Sequence, residues 1–231
     1  KEFNRHQDYS EATALKIDFD IKAIAMDYSR CETLPLHDAR PVFGRIAETM
    51  PELVRRIVER GHEVGSRGMY PRDMTQLTPE EIRADLARSR EVVQKAAGRK
   101  VIGFRAGEIW NDPDDTWILD LVAEEGYRYD SSFCPWMRMA RERPDLIVTH
   151  RRRIGDRDLW VVPISSFSTF GYRLPLGGNF LRQFPKAVIE GEFRKWATKL
   201  AVPLVTYFNV WELDPDQPRI EAAPFMQRVR Q

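Results

Sequence analysis

With 231 residues, and 36 Lys and Arg against 35 Asp and Glu, the chain has the length of one barrel or one large α/β domain, and its charge gives no reason to expect nucleic acid or an acidic membrane surface. Hydrophobic residues at 42% and charged residues at 31% exclude a disordered or fibrous class, and no apolar run reaches the roughly 18 residues of a membrane span. Cys31 and Cys134 lie far apart without CxxC spacing, so they argue neither a disulfide framework nor a zinc knuckle, and the compartment stays open.

The clearest local unit begins at Pro51. Leu53, Val54, Ile57 and Val58 recur at helical spacing, Gly61 suits the left-handed end of that helix, and His62 to Ser66 is placed to return as a strand. Thr78-Pro79-Glu80-Glu81 is a capping box with proline at the first turn. Ile82, Leu86 and Val93 carry the apolar face of that helix until Gly98, and Val101 to Phe104 is the next strand. Asp112 and Pro113 open another helix through Trp117 and Leu121, closed by Gly126 and followed by the strand Tyr127-Arg128-Tyr129. Arg151, Arg152 and Arg153 read as a solvated loop. Leu159 to Pro163 reads as a core strand, Gly177-Gly178 as a turn, and about Pro185 to Leu200 as a helix with Val188, Ile189, Phe193 and Trp196 inward. A buried strand, Leu204 to Phe208, comes last.

Strands alternating with helices predict a parallel sheet, and functional groups gather at the carboxyl ends of such strands. That directs attention to Asp18 and Asp20, Ser66 to Pro71, Arg105 to Trp110, Asp130 to Ser132, and Asn209 to Glu212. No pair of the four histidines, His6, His37, His62 and His150, is spaced to share one helix face. His62 suits a strand-start hydrogen bond, and Asp112, Asp114 and Asp115 suit a helix start better than a calcium loop. Trp110, Trp136, Trp160 and Trp211 could stack on sugar rings, with core packing the default for any one of them. Trp211 is the best candidate for a cleft wall.

Four segments then carry a resemblance: Pro-Glu-Leu-Val-Arg-Arg-Ile-Val-Glu-Arg-Gly-His-Glu-Val-Gly-Ser at 51–66, Gly-Phe-Arg-Ala at 103–106, Glu-Glu-Gly-Tyr-Arg-Tyr-Asp-Ser-Ser at 124–132, and Trp-Glu-Leu-Asp-Pro-Asp-Gln-Pro-Arg at 211–219. In this order and spacing the chain resembles the polysaccharide deacetylases of the NodB homology type, in the branch associated with exopolysaccharide loci. The likeness runs from about Gly44 to the end. It implies a distorted parallel (β/α) barrel and a single domain over residues 1–231, with about 1–43 divergent or shortened. Such proteins hydrolyse N-acetyl groups on a glycan. A divalent metal such as zinc is held by a carboxylate and two imidazoles, with a second carboxylate as base and a late histidine as acid.

The matching residues here depart from that set. Arg67 and Pro71 stand where the two metal-binding histidines would be, and neither offers a lone pair to an ion. Asn209 occupies the catalytic histidine's position. Asp18 aligns with the base, leaving Asp20 or Ile21 for the ligand, and Arg105 matches the arginine that orients the base. The resemblance therefore implies a deacetylase-like protein with no intact metal site and no expected cofactor. Metal-dependent turnover would be lost and a carbohydrate-binding or assembly role kept, on N-acetylated polysaccharide as partner, with Asp18, Arg105 and Asn209 as vestigial catalytic positions and Asp20, Arg67, Trp211 and Asp130 as binding positions. The alternatives are an active carbon-nitrogen hydrolase with a rearranged or metal-independent site on Asp18 and Arg105, and an inactive derivative of an enzyme. An ion pair between Asp18 and Arg105 is expected in either reading, because a carboxylate in a cleft without its metal needs a positive partner.

Overall fold

The structure, a computed structural model, describes residues 39–108, 110, 112–135, 137–169, 172–199 and 203–208, and within these strands and helices alternate as expected. β1 (Ala39–Val42) leads through α1 (Gly44–Thr49) and α2 (Pro51–Glu59) to β2 (Glu63–Ser66). α3 (Pro79–Ala97) precedes β3 (Gly103–Phe104), and α4 (Ile118–Glu124) precedes β4 (Tyr129–Asp130). Then come α5 (Met137–Glu142), β5 (His150–Ile154), β6 (Arg157–Val161), β7 (Ser166–Thr169), β8 (Tyr172–Pro175), α6 (Asn179–Gln183) and α7 (Lys186–Lys199).

Among the described residues six strands form one sheet in the order β1-β2-β3-β4-β6-β5. Every neighbouring pair from β1 to β6 is parallel, and only β5, at the edge beyond β6, runs antiparallel. The fold is thus mixed α/β around a parallel sheet. Its helices are built by the local rules the sequence shows. At α3 the Thr78 hydroxyl accepts from the Glu81 N–H while the Glu81 carboxylate accepts from the Thr78 N–H, at 3.3 and 2.9 Å. Gly98 ends that helix at φ 66°, a left-handed conformation that costs glycine little. Ile82, Leu86 and Val93 are fully buried on its inner face, where α3 packs on α1, α2, α4 and β2. The Asp112 carboxylate caps the next unit by accepting from Asp114 N–H at 3.0 Å, but that unit opens as a 3₁₀ turn, Pro113–Trp117, before α4. Arg138 holds Asp112 and Asp114 from outside, at 2.8 and 3.2 Å.

Three expectations are corrected. Arg151 to Arg153 are the strand β5 and not a loop: they alternate around the half-buried Arg152, which reaches Asp120 at 3.0 Å, while Arg151 and Arg153 turn outward toward Asp158. A charged edge of this kind keeps a sheet from pairing with another chain. Val188 is 40% exposed, because it lies about 100° around α7 from Ile189, and the inward stripe is Ile189, Phe193 and Trp196. Residues 204–208 are half-buried and make no ladder: Val205 N–H donates to the Ser165 hydroxyl and its carbonyl accepts from Ser165 N–H, both at 2.8 Å.

Candidate functional site

The parallel register decides which residues meet. Ser66 pairs with Phe104, and Phe104 with Asp130, so the residues that follow β2 and β3, Arg67 and Arg105, and the last residue of β4, Asp130, come to one edge of the sheet. Phe43 joins them from the end of β1. Sequence reasoning placed these strand ends together, and the structure does so for Arg67, Arg105 and Asp130. Asp18, Asp20, Asn209 and Trp211 lie outside the described residues, as does the expected Asp18–Arg105 pair.

The loop after β2 is held by its backbone. Gly68 takes φ 81°, and a side chain there would meet the Asp85 carboxylate at 2.8 Å. That buried carboxylate accepts from Met69 N–H at 3.0 Å and from Arg72 at 2.7 Å. Gly44 and Arg45 N–H donate to the Gly68 and Met69 carbonyls at 2.8 and 3.1 Å. Arg67 is therefore fixed at its root. Its guanidinium lies 5.0 Å from the Phe43 ring centroid and donates through Nη2 to the Gly107 carbonyl at 3.1 Å. Its Nε is buried and meets no acceptor among the described residues. Burial lowers its pKa, with the charge of exposed Glu108 acting in the opposite direction.

Arg105 is enclosed more deeply. Its guanidinium stacks on the Tyr207 ring at 4.8 Å. Tyr207 in turn fits against the Gly177-Gly178 turn, where a side chain at Gly177 would stand 2.4 Å from the tyrosine ring, and its carbonyl accepts from Gly178 N–H at 2.8 Å. Burial, and next the Arg67 charge, bring the pKa of Arg105 down to about 10, so it stays protonated at neutral pH, helped by Tyr207, Cys134 and Asp130.

Asp130 is completely buried. One carboxylate oxygen accepts from Ser132 N–H at 2.9 Å and the other from the Ser132 hydroxyl at 2.6 Å, while the Ser132 oxygen accepts from Ala106 N–H at 2.8 Å. The arrangement ties β4 to the loop after β3. Burial pushes the Asp130 carboxyl up to about 7, against the Ser132 hydrogen bonds and the Arg105 charge. Because an ordinary carboxyl ionises near 3.8, the folded state keeps the extra proton between those values, and stability falls as pH rises through that window. The slope is on the order of 1 kcal/mol per pH unit. Asp130→Asn has no such proton, so its melting temperature, followed across the same window, is expected to fall less steeply than the wild type's. Parallel curves would contradict the assignment.

Sequence reasoning missed the roles of Phe43, Ser132 and Tyr207. The double glycine at 177 and 178 was visible, but its partner was not. Trp110 is core: it is 2% exposed and packs edge-on against Phe133 at 5.4 Å. Trp160 is half-buried beside Tyr129 and Val162, with Arg151 at 5.9 Å from its ring. His62, at the start of β2, accepts from Arg99 through its carbonyl.

The comparisons with known proteins divide at this site. Residues 41–127 match the family model described as Polysaccharide deacetylase, and residues 131–231 match a domain of unknown function, DUF3473. The Asp130 end of β4 sits at the junction, and β4 pairs with β6, so one sheet crosses both matched segments. The Peptidoglycan deacetylase-like protein FGM2 of Gibberella zeae is 30% identical over 89 residues, 38% of this chain and 25% of its own length. The chain thus spans about a quarter of that relative. Among solved structures, a candidate polysaccharide deacetylase from Mycobacterium smegmatis superposes with a TM-score of 0.53 at 20% identity, covering 74% of this chain and 57% of that one. One from Pseudomonas aeruginosa gives 0.50 at 18%, with 74% and 54% covered. Such identities speak for the fold. The segment at 41–127 is thus similar to polysaccharide deacetylases, and the shared fold agrees with the parallel strand ends described above.

Proposed function

We propose that this protein binds a glycan at the carboxyl ends of its parallel strands and performs no metal-dependent deacetylation. The observation that carries the reading is the Arg67 guanidinium, fixed between the Phe43 ring and the Gly107 carbonyl at the end of β2. A divalent ion at this place would face two neighbouring guanidinium charges, Arg67 and Arg105, in a partly desolvated setting where like charges repel most. The residues do not fit such an ion. Arginine and proline supply no lone pair at 67 and 71, and among the described residues no group of three His, Cys, Asp or Glu side chains converges. Asp18 and Asp20 belong to the expected acidic pair but lie outside the described residues, and Asn209 in the acid's place can hydrogen-bond but cannot shuttle a proton near neutral pH. One domain would carry the function, since a single sheet takes β2 and β3 from the first matched segment and β5 and β6 from the second, joined through β4 between them.

Titration calorimetry with an N-acetylglucosamine hexamer, in zinc and in chelator, tests the reading. Equal affinity in both, without acetate release, is expected. Binding that disappears in chelator would overturn it, and acetate release in chelator would favour a metal-independent hydrolase built on Asp18 and Arg105.

A further inference from the structure

Asp130, Ser132 and Ala106 form a buried network in which every hydrogen has a place while the carboxylate is ionised. Ser132 N–H and the Ser132 hydroxyl donate to the two carboxylate oxygens, and the hydroxyl oxygen accepts from Ala106 N–H. A proton added to Asp130 is one hydrogen too many for this network. Between the carboxyl and Ser132 Oγ, only 2.6 Å apart, it turns the hydroxyl hydrogen out; on the other oxygen it opposes Ser132 N–H. What the network holds is the near end of the loop after β3. Ala106 follows Arg105, and the Gly107 carbonyl next to it accepts from Arg67 Nη2 at 3.1 Å. The far end is tied separately, by Trp110 N–H on the Ser132 carbonyl and Cys134 N–H on the Trp110 carbonyl, at 2.9 and 3.0 Å. Among the described residues, two titratable groups face Asp130. Arg105, beyond the end of β3, favours the ion, and Tyr129 on β4 gives its phenolic hydrogen to Glu63 at 2.8 Å and is kept neutral by burial. On the other side β6 pairs Val161 with Asp130 and brings no charge.

We propose that Ser132 is a positioning residue of the strand-end site, holding the loop after β3 while Asp130 is ionised and loosening it when Asp130 takes up a proton. The consequence for binding rests on the glycan-binding reading. Burial raises the Asp130 carboxyl, and the Ser132 hydrogen bonds act against it, leaving it at about 7, so the change falls near neutrality. Because those bonds favour the ion, proton uptake weakens them in the same measure. Glycan binding should therefore tighten as pH rises through that value. The stability of the whole fold moves the other way, since unfolding frees Asp130 from burial, whereas loosening the loop leaves it buried and removes only the bonds that favour the ion.

Amide hydrogen exchange followed by NMR from about pH 5 to about pH 9, corrected for the intrinsic rates, tests the hold directly. Protection of Ala106 is expected to rise by about tenfold relative to Trp110, whose bond bypasses the hydroxyl. Asp130→Asn and Ser132→Ala should each abolish that rise, with Ala106 kept at its low-pH level, and melting curves identify any variant that has not folded. A wild-type ratio that does not change with pH would overturn the proposal without recourse to a variant. So would a rise that persists in Asp130→Asn, because another group would then be titrating. Calorimetry with the N-acetylglucosamine hexamer reads the consequence: binding about tenfold tighter at the upper end of the range in the wild type, and a flat profile in Ser132→Ala. Exchange that changes while affinity does not would overturn the positioning role and leave glycan binding in place. No binding of the hexamer at any pH would overturn the glycan-binding reading, and the Ala106 ratio would still decide whether Ser132 holds the loop.

Discussion

Phe104→Ala is expected to destabilise the fold by about 3–5 kcal/mol and to lower its melting temperature by on the order of 10 °C. Phe104 is 1% exposed in the centre of the sheet, between Ser66 of β2 and Asp130 of β4. Its ring lies 5.4 Å from Tyr127 and 6.3 Å from Trp110, both tilted, so truncation removes two aromatic contacts and opens a cavity where no water is welcome. It also immediately precedes Arg105, whose backbone N–H donates to the Ser66 carbonyl at 3.0 Å, so the loss reaches the site. Val188→Ala is the comparison. On the exposed side of α7 it should change stability by about 0.5 kcal/mol or less. Equal losses in thermal unfolding would mean that β3 is not the centre of the core.

Rebuilding the lost imidazoles should restore little by itself. Arg67→His with Pro71→His puts two imidazoles four residues apart on a loop whose backbone is already fixed by Gly44, Arg45 and Asp85, and it removes the guanidinium next to Arg105. Metal affinity should rise if Asp20 reaches the same point. On the proposed assignment of Asn209 to the acid's place the double variant would still lack its proton donor, and a positioned general acid typically contributes about 10²–10⁴-fold in rate. Adding Asn209→His should therefore give the larger gain in acetate release, on a scale of about 100-fold or more over the double variant. Equal, brisk turnover by both under saturating zinc would place the acid elsewhere and break the alignment of the final segment.

What the sequence revealed was mostly local. Gly61, Gly98 and Gly126, at φ 84°, 66° and 83°, stop helices just before strands, and that punctuation alone implies that Arg67, Arg105 and Asp130 share one edge. Capping at Thr78 and Asp112 was legible for the same reason, since each cap and the backbone N–H that donates to it lie within three residues. The rest depends on contacts across the chain. Nothing near Gly177 or Gly178 indicates that Tyr207 will occupy the space their missing side chains leave, and nothing near Ser132 indicates Ala106 as its donor. Arg151 to Arg153 misled because charge alone suggests a loop, whereas the alternation of half-buried and exposed positions, with partners at Asp120 and Asp158, makes an edge strand. The acidic pair Asp18 and Asp20, and Asn209 with Trp211, remain positions assigned through the family likeness.

The central claim is that the residues at the end of β2 leave the wild-type chain without metal-dependent chemistry. The most direct measurement is acetate release from N-acetylglucosamine oligomers by the wild-type protein under saturating zinc, run beside the Arg67→His, Pro71→His, Asn209→His triple variant as a positive comparison. The account predicts release by the triple variant and none above background by the wild type. Zinc-stimulated acetate release by the wild-type protein would contradict it.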